Sequence, residues 1–226
     1  PLLQRQIEIE EFILVDPVIR LQSNASGNNW TFGSNTEAVA QATPDEGFVR
    51  QPGALPFEAS FGDVRIENGA VTFDDGQQIR RFDALNLTID LPSVDQAVSL
   101  RGSFEADGRP MNFNAELGSL RGFFEGQETA FSTTLNGPLA DLTLEGRFLE
   151  SPQLAFDGEM NVTLPLRALA RYLGSDLPEG DIFRQFSARS AVSGEPGVLR
   201  LRGARISFDD INAQGDMTLN YAGARP

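Results

Sequence analysis

The stretch Val64–Leu117, VRIENGAVTFDDGQQIRRFDALNLTIDLPSVDQAVSLRGSFEADGRPMNFNAEL, decides the fold class. Apolar side chains alternate with polar ones as Leu85/Leu87/Ile89/Leu91, then Val98/Leu100/Phe104, then Met111/Phe113/Ala115/Leu117, with turn residues between the runs. A two-residue period in successive short runs marks antiparallel strands with one apolar and one wet face. Asp74-Asp75-Gly76 and Asp107-Gly108-Arg109 read as tight turns, because hairpin turns need the positive φ that Gly and Asp tolerate.

Outward from this stretch the same period continues. Residues 6–21 read as two strands, a hairpin or a bent strand, broken at Asp16-Pro17, where proline removes a ladder donor and restricts its predecessor. Trp30 and Phe32 share a face and are expected to seal one end of the core. Residues 33–56 are small, polar and rich in Gly and Pro, and predict a flexible loop longer than compact domains usually carry. Alternation resumes at Phe57 and runs through Phe61, Val64 and Ile66 to Phe73. Beyond Leu117, strands are expected near 119–125, 129–136, 140–149 and 153–164, joined as a meander. The period changes once: Leu166, Leu169, Ala170 and Leu173 follow the i, i+3, i+4, i+7 pattern between Pro165 and Gly174, which predicts a helix over 165–174. Residues 181–186 are expected to add another turn. Strands return at 187–194, 198–208 and 211–221. Gly69–Asp75 is echoed by Gly203–Asp210, with the spacing from Gly to Phe differing by one residue, a loose structural repeat.

Composition narrows the function. The 226 residues suffice for one large β domain or two small ones. Of the aromatic residues 17 are Phe, against one Trp and two Tyr, so the aromatic inventory is almost without polar handles. A formal charge of −14 and a pI near 4.4 argue against nucleic acid and anionic headgroup surfaces as partners, since both require a positive field. All 18 basic residues are Arg, which reads as coding bias. Cys and His are absent, which removes disulfides, thiolate metal sites, the usual general base and the commonest metal ligand. No apolar run approaches the roughly 18 residues of a membrane span. The chain begins at Pro1 and reads as an excerpt from a longer protein.

The carboxylate pairs Asp74/Asp75 and Asp209/Asp210 could share a proton or hold a hard cation. Each lies at a strand end beside a turn, where Asp bonds the local backbone, and turn duty is the favoured reading. Four Asn-x-Ser/Thr matches, at Asn24, Asn29, Asn86 and Asn161, arise readily by chance, and the last two fall inside expected strands. An enzyme built from this chain would have to work on carboxylates alone, as some glycosidases do.

About a dozen strands at roughly 4.8 Å spacing would make a sheet roughly 55–60 Å wide with one continuous apolar face. One short helix cannot cover it. Either the sheet closes into a sandwich or barrel, or it curls into a gutter with its apolar inner face partly open. The expected fold is therefore mainly β: a long curled antiparallel sheet, an open groove or taco-like half-barrel, with one short α-helix.

Several weak matches in order carry a family resemblance over nearly the whole chain. They are Ile9–Leu21 (IEEFILVDPVIRL), Gly27-Asn28-Asn29-Trp30-Thr31-Phe32, Ile66–Asp75 (IENGAVTFDD), Leu85-Asn86-Leu87 after Phe82, the Gly102–Phe113 hairpin, and the helix Leu166–Leu173 followed by Gly174. With these the chain resembles the periplasmic region of bacterial AsmA-family proteins, relatives of TamB and of the chorein-like bridge lipid-transfer proteins; the 33–56 stretch departs from that pattern. The resemblance implies a periplasmic module, tethered to the inner membrane by an upstream anchor, that conducts phospholipid along a hydrophobic β-groove in outer-membrane biogenesis. It implies no catalytic residue, cofactor or metal. Candidate lining positions are Leu85, Leu87, Ile89, Leu100, Phe104, Phe113, Phe131, Leu142, Leu144, Phe156, Met160, Val162, Met217 and Leu219. The competing expectation is a closed β-sandwich serving as scaffold or protein-interaction domain in envelope assembly.

Overall fold

The computed structural model describes residues 9–24, 27–29, 50, 61–76 and 78–221. Their strands form one long, open, curled sheet. In chain order they are β1 (Ile9–Val15), β2 (Val18–Asn24), β3 (Gly27–Asn28), β4 (Phe61–Asp74), β5 (Ile79–Leu91), β6 (Val98–Ala106) and β7 (Arg109–Leu117). Helix α1 (Leu120–Phe124) then precedes β8 (Thr129–Gly137), β9 (Ala140–Phe148) and β10 (Phe156–Pro165). Helix α2 (Leu166–Tyr172) leads to β11 (Gln185–Glu195), β12 (Val198–Phe208) and β13 (Ile211–Asn220). Trp30, Phe32 and Phe57 lie outside the described residues.

From β5 to β13 every strand pairs antiparallel with its predecessor, as the alternation and the short turn signals predict. Asp107 (φ 52°) and Gly108 (φ 67°) make the β6–β7 turn with two positive φ values, which matches the twist of the flanking strands. After β4, Asp74 Oδ1 accepts the Gly76 N–H at 2.9 Å and Asp75 Oδ1 accepts the Gln78 N–H at 2.7 Å. These carboxylates hold the turn, as their position suggested.

The start of the sheet is a bent strand, and its pairing is parallel. β1 lies along the first half of β4 and β2 along the second, with Leu14 opposite Ile66 and Ile19 opposite Val71. The bend falls at Asp16-Pro17, where Asp16 has φ 49° and donates its N–H to Glu67 O at 2.9 Å. On the other side of the bend Ala70 N–H donates to Pro17 O at 2.8 Å. The missing proline donor thus falls at a break in the ladder. A sheet antiparallel throughout was expected; long-range register is not written in local alternation, which is why these parallel pairs were not foreseen.

Two local expectations also fail. The stretch 119–125 was expected as a strand and contains α1: Ser119 Oγ accepts the Gly122 N–H at 2.9 Å, and Gly126 at φ 79° follows the C-terminal end. The described residues thus contain two helices rather than one. Residues 181–186 add no helical turn: Phe183 has φ 59°, and Gln185 and Phe186 already belong to β11.

The sandwich needs two packed layers, whereas every described strand belongs to one sheet whose borders, β13 on one side and β1 to β3 on the other, do not pair with each other. Burial agrees. Among the described residues the buried apolar side chains are Leu91, Val94, Val98, Ala106, Met111, Leu139, Ala188, Val192 and Ala204, and none is a Phe. In a closed layer pair the largest apolar rings would be the first groups hidden.

Candidate functional site

The pairing register sorts the side chains onto two faces. One apolar row crosses ten strands through directly opposed residues: Ile66, Leu87, Gly102, Phe113, Leu135, Leu142, Val162, Ala188, Ile206 and Ala213. At the inter-strand spacing of sheets it is roughly 43 Å long. All fourteen positions singled out in the sequence fall on this face. Twelve are partly buried, while Met217 and Leu219, on the border strand, are 50% and 55% exposed. Strands β4 and β12 add Val64, Val71, Phe73, Leu199, Leu201 and Phe208 to the same face. Their own alternation would have identified them. The charged residues that the register sets on this face are Arg80 and Arg109, both at strand ends.

The opposite face carries most of the charged side chains of the sheet, together with the exposed apolar residues Ile13, Val15, Val18 and Ile79 of its first strands. Arg65 meets Glu11 at 3.4 Å, Arg147 meets Asp157 at 3.1 Å and Arg189 meets Glu159 at 3.5 Å. Such exposed pairs contribute about 0–1 kcal/mol each and serve mainly to keep this face in water.

Among the described residues only α1 and α2 stand apart from the sheet as regular elements, and each covers one end of the apolar face. Ala168 and Tyr172 of α2 pack on a cluster of Ala106, Met111 and Leu139, beside Phe82, Phe104 and Leu135. At the other strand end Phe123 of α1 meets Phe148 edge-on at 4.7 Å, and Phe148 meets Phe131 at 4.6 Å. Phe131 reaches Phe156 at 6.0 Å across the intervening strand β9, where Gly146 opposes Phe131 and leaves the space. Aromatic residues therefore crowd both rims. Around Leu144 and Met160 the face is aliphatic, and neither α1 nor α2 is among the elements packed there.

Arg50 locks the α1 rim, a role nothing in the sequence announced. Of the 33–56 stretch expected to be flexible, it is the one described residue, and it is only 1% exposed. Its Nε donates to Phe123 O, Nη1 to Leu149 O at 2.8 Å and Nη2 to Gln127 O at 2.6 Å, while its backbone N–H donates to Pro152 O at 2.7 Å. The guanidinium also stacks over Phe123 and Phe148, with its carbon 5.1 and 5.8 Å from the ring centres. Burial pushes its pKa below the usual arginine value. Among the described residues no group of three acidic side chains could hold a metal ion, and no helix is long and apolar enough to cross a membrane.

No known family, curated protein or solved structure matches this chain.

Proposed function

We propose that the chain is a non-enzymatic lipid-conducting module of the AsmA type, which binds acyl chains on its apolar face and passes phospholipid along it. In the cell it would work in the bacterial periplasm, held to the inner membrane by an anchor outside this sequence and serving outer-membrane biogenesis. The observation that carries this reading is the row from Ile66 to Ala213: ten strands wide, without a charge, and, among the described residues, without a helix over its middle.

The magnitudes suit a lipid. An acyl chain of about 16 carbons gains on the order of 13 kcal/mol gross by leaving water, at about 0.8 per methylene. One leaflet of a bilayer is about 15 Å of hydrocarbon, so a row of roughly 43 Å exceeds what one chain can cover. A surface of Leu, Val, Ile and Met makes no directional bonds, and a chain displaced by one methylene exchanges equivalent contacts. The acidic balance of the molecule keeps it from adsorbing flat on anionic headgroups, so the lipid is taken as a single molecule and not as a surface.

The test is a photo-crosslinking residue at position 160, combined with native mass spectrometry of protein purified from a bacterial envelope. We expect phospholipid to co-purify and to crosslink at 160, and Met160→Asp to reduce the bound phospholipid while the far-UV spectrum stays unchanged. Met160 is a better probe than Phe104, which packs against the cluster under α2 and would report on folding as well. A wild-type protein with neither co-purified phospholipid nor a lipid crosslink would sink the proposal.

A further inference from the structure

An acyl chain laid on the apolar face carries a charged headgroup that cannot follow it there, so the partner of that headgroup must lie at a rim. The α1 rim offers none: the register sets no charged side chain of the sheet on the apolar face at that end, and Arg50 is occupied by three carbonyls. The α2 rim differs. Arg80 and Arg109, the charges that the register sets on this face, both lie at that strand end.

The ion pairs at this rim leave one cation over. A cavity of about 670 Å³ opens between the C-terminal end of α2 and the start of β5, where β5 runs past the end of β6. Small-molecule sites span roughly 300–1,000 Å³. Of the charged residues that line the cavity, Asp83 is held by Arg81 at 2.7 Å and Asp107 by Arg109 at 2.9 Å. Arg80 remains. It is half-buried opposite Phe73, and among the described residues its guanidinium meets no carboxylate, only the Gln78 side-chain oxygen at 3.1 Å. Tyr172 lines the same cavity and brings a hydroxyl as a further donor, while Leu173, 44% exposed, adds an apolar side chain. A guanidinium partly withdrawn from water gains most from an anion that accepts charge-assisted hydrogen bonds, and its fork matches two oxygens of a phosphate.

We infer that this cavity is the headgroup subsite of the apolar face, in which the Arg80 guanidinium binds the phosphodiester of a glycerophospholipid. The inference rests on the lipid reading above and gives it a polarity, with the headgroup at the α2 rim and the tails toward the middle. The apolar path from the cavity runs along β4. Phe73 faces Arg80, and Phe73 and Val71 lie outside the cluster on which α2 packs. At about 3.3 Å per residue, a tail of about 15 Å laid from Phe73 passes Val71 and ends short of Ile66. Free phosphate fits worse. The net charge of −14 repels a bare anion, and only one that carries apolar chains gains from Phe73, Val71 and Leu173.

The full 226-residue chain is loaded with dipalmitoylphosphatidylglycerol or with dipalmitoylglycerol, which has the same tails and no phosphate, and retention is read by native mass spectrometry. The unaltered chain should retain the phospholipid about tenfold better. Arg80→Gln should bring the two lipids within about twofold of each other with an unchanged far-UV spectrum, and Arg80→Lys should keep part of the preference. Equal retention by the unaltered chain, or a full preference in Arg80→Gln, overturns the subsite and leaves the lipid reading standing; retention of neither lipid removes both. Displacement of the phospholipid by millimolar inorganic phosphate overturns it as well, since the cation then serves free phosphate. Should Arg80→Gln fold poorly, a phosphatidylethanolamine with a photoreactive group on its amine decides on the unaltered chain. Crosslinks are expected within residues 78–83 and 172–174, and crosslinks at the α1 rim, on Phe123 or Phe148, overturn the inference.

Discussion

At Arg50 a cation is held by three carbonyls and two aromatic rings. Arg50→Ala would strand those carbonyls at the rim. With hydrogen bonds to charged groups contributing about 1.5–3 kcal/mol each, and partial replacement by water, we expect a loss of about 2–4 kcal/mol in urea unfolding. Arg50→Lys should recover less than half, because an ammonium cannot serve three divergent acceptors in the plane of a fork. Asp209 gives a pH-dependent counterpart. Its carboxylate accepts the N–H groups of Gln185 at 2.9 Å and Arg184 at 2.8 Å. The bond from Gln185 is the chief cause that holds its pKa below the usual value, assisted by Arg184 and opposed by desolvation. A depressed folded pKa stabilises fully above the unfolded carboxylate value, and that contribution is lost as pH falls through the folded one. Asp209→Asn keeps the turn and the acceptor but not the charge, so its urea midpoint should fall less steeply on acidification than that of the wild type. The two residues differ in how far the sequence exposed them. Asp209 sat beside a visible turn signal, whereas Arg50 is a lone arginine in a stretch without period, and only tertiary contact gives it a role.

Among the elements, period decided what could be read. The strands from β4 onward and helix α2 repeat their pattern often enough to be recognised. Five residues of α1 complete barely more than one turn, too few to separate a 3.6 period from an apolar run. The parallel seating of β1 and β2 on β4 joins segments some fifty residues apart, and no local pattern encodes that pairing. The bulges at Asn68 in β4 (φ 52°) and Gly203 in β12 (φ 58°) were visible only as an apparent one-residue slip between two similar stretches, because a left-handed residue has no sequence mark when it is Asn in one copy and Gly in the other. Each is clamped from the next strand, Asn68 N–H donating to Asn86 Oδ1 at 3.1 Å and Gly203 N–H to Asp216 Oδ1 at 2.7 Å. The clamps can be tested separately. Asn86→Ala should release the Asn68 amide and Asp216→Ala the Gly203 amide, each at a cost of about 1 kcal/mol. Since Asn86 holds the β4–β5 hairpin and Asp216 the β12–β13 hairpin, with six strands between them in the sheet, the double variant should lose the sum, and amide exchange should quicken at each site only in its own variant.

At the scale of the whole molecule, stability is spread along the sheet, each strand leaning on its two neighbours, with the rims drawn together by α1, Arg50 and α2. The surplus of one-sided strands over helices was legible in the sequence; that the sheet stays open followed only from strand order and from the partial exposure of its Phe side chains. The register also fixes where the borders begin and end. Ile9 stands opposite Phe61, and Leu219 opposite Leu199, at the same strand end, the one that carries α1, yet on opposite borders of the sheet. A pull between Ile9 and Asn220 is therefore directed along the ladder bonds and loads them one after another, as a zipper is opened. The molecule is a mechanically compliant ribbon. Stretched between those two residues in an optical trap, it should lengthen by a staircase of small, similar events, each strand of 9 to 14 residues from β4 to β13 releasing roughly 30–50 Å of contour. A single high-force rupture would show instead that the strands shear together, and that the rims, not the ladder, bear the load.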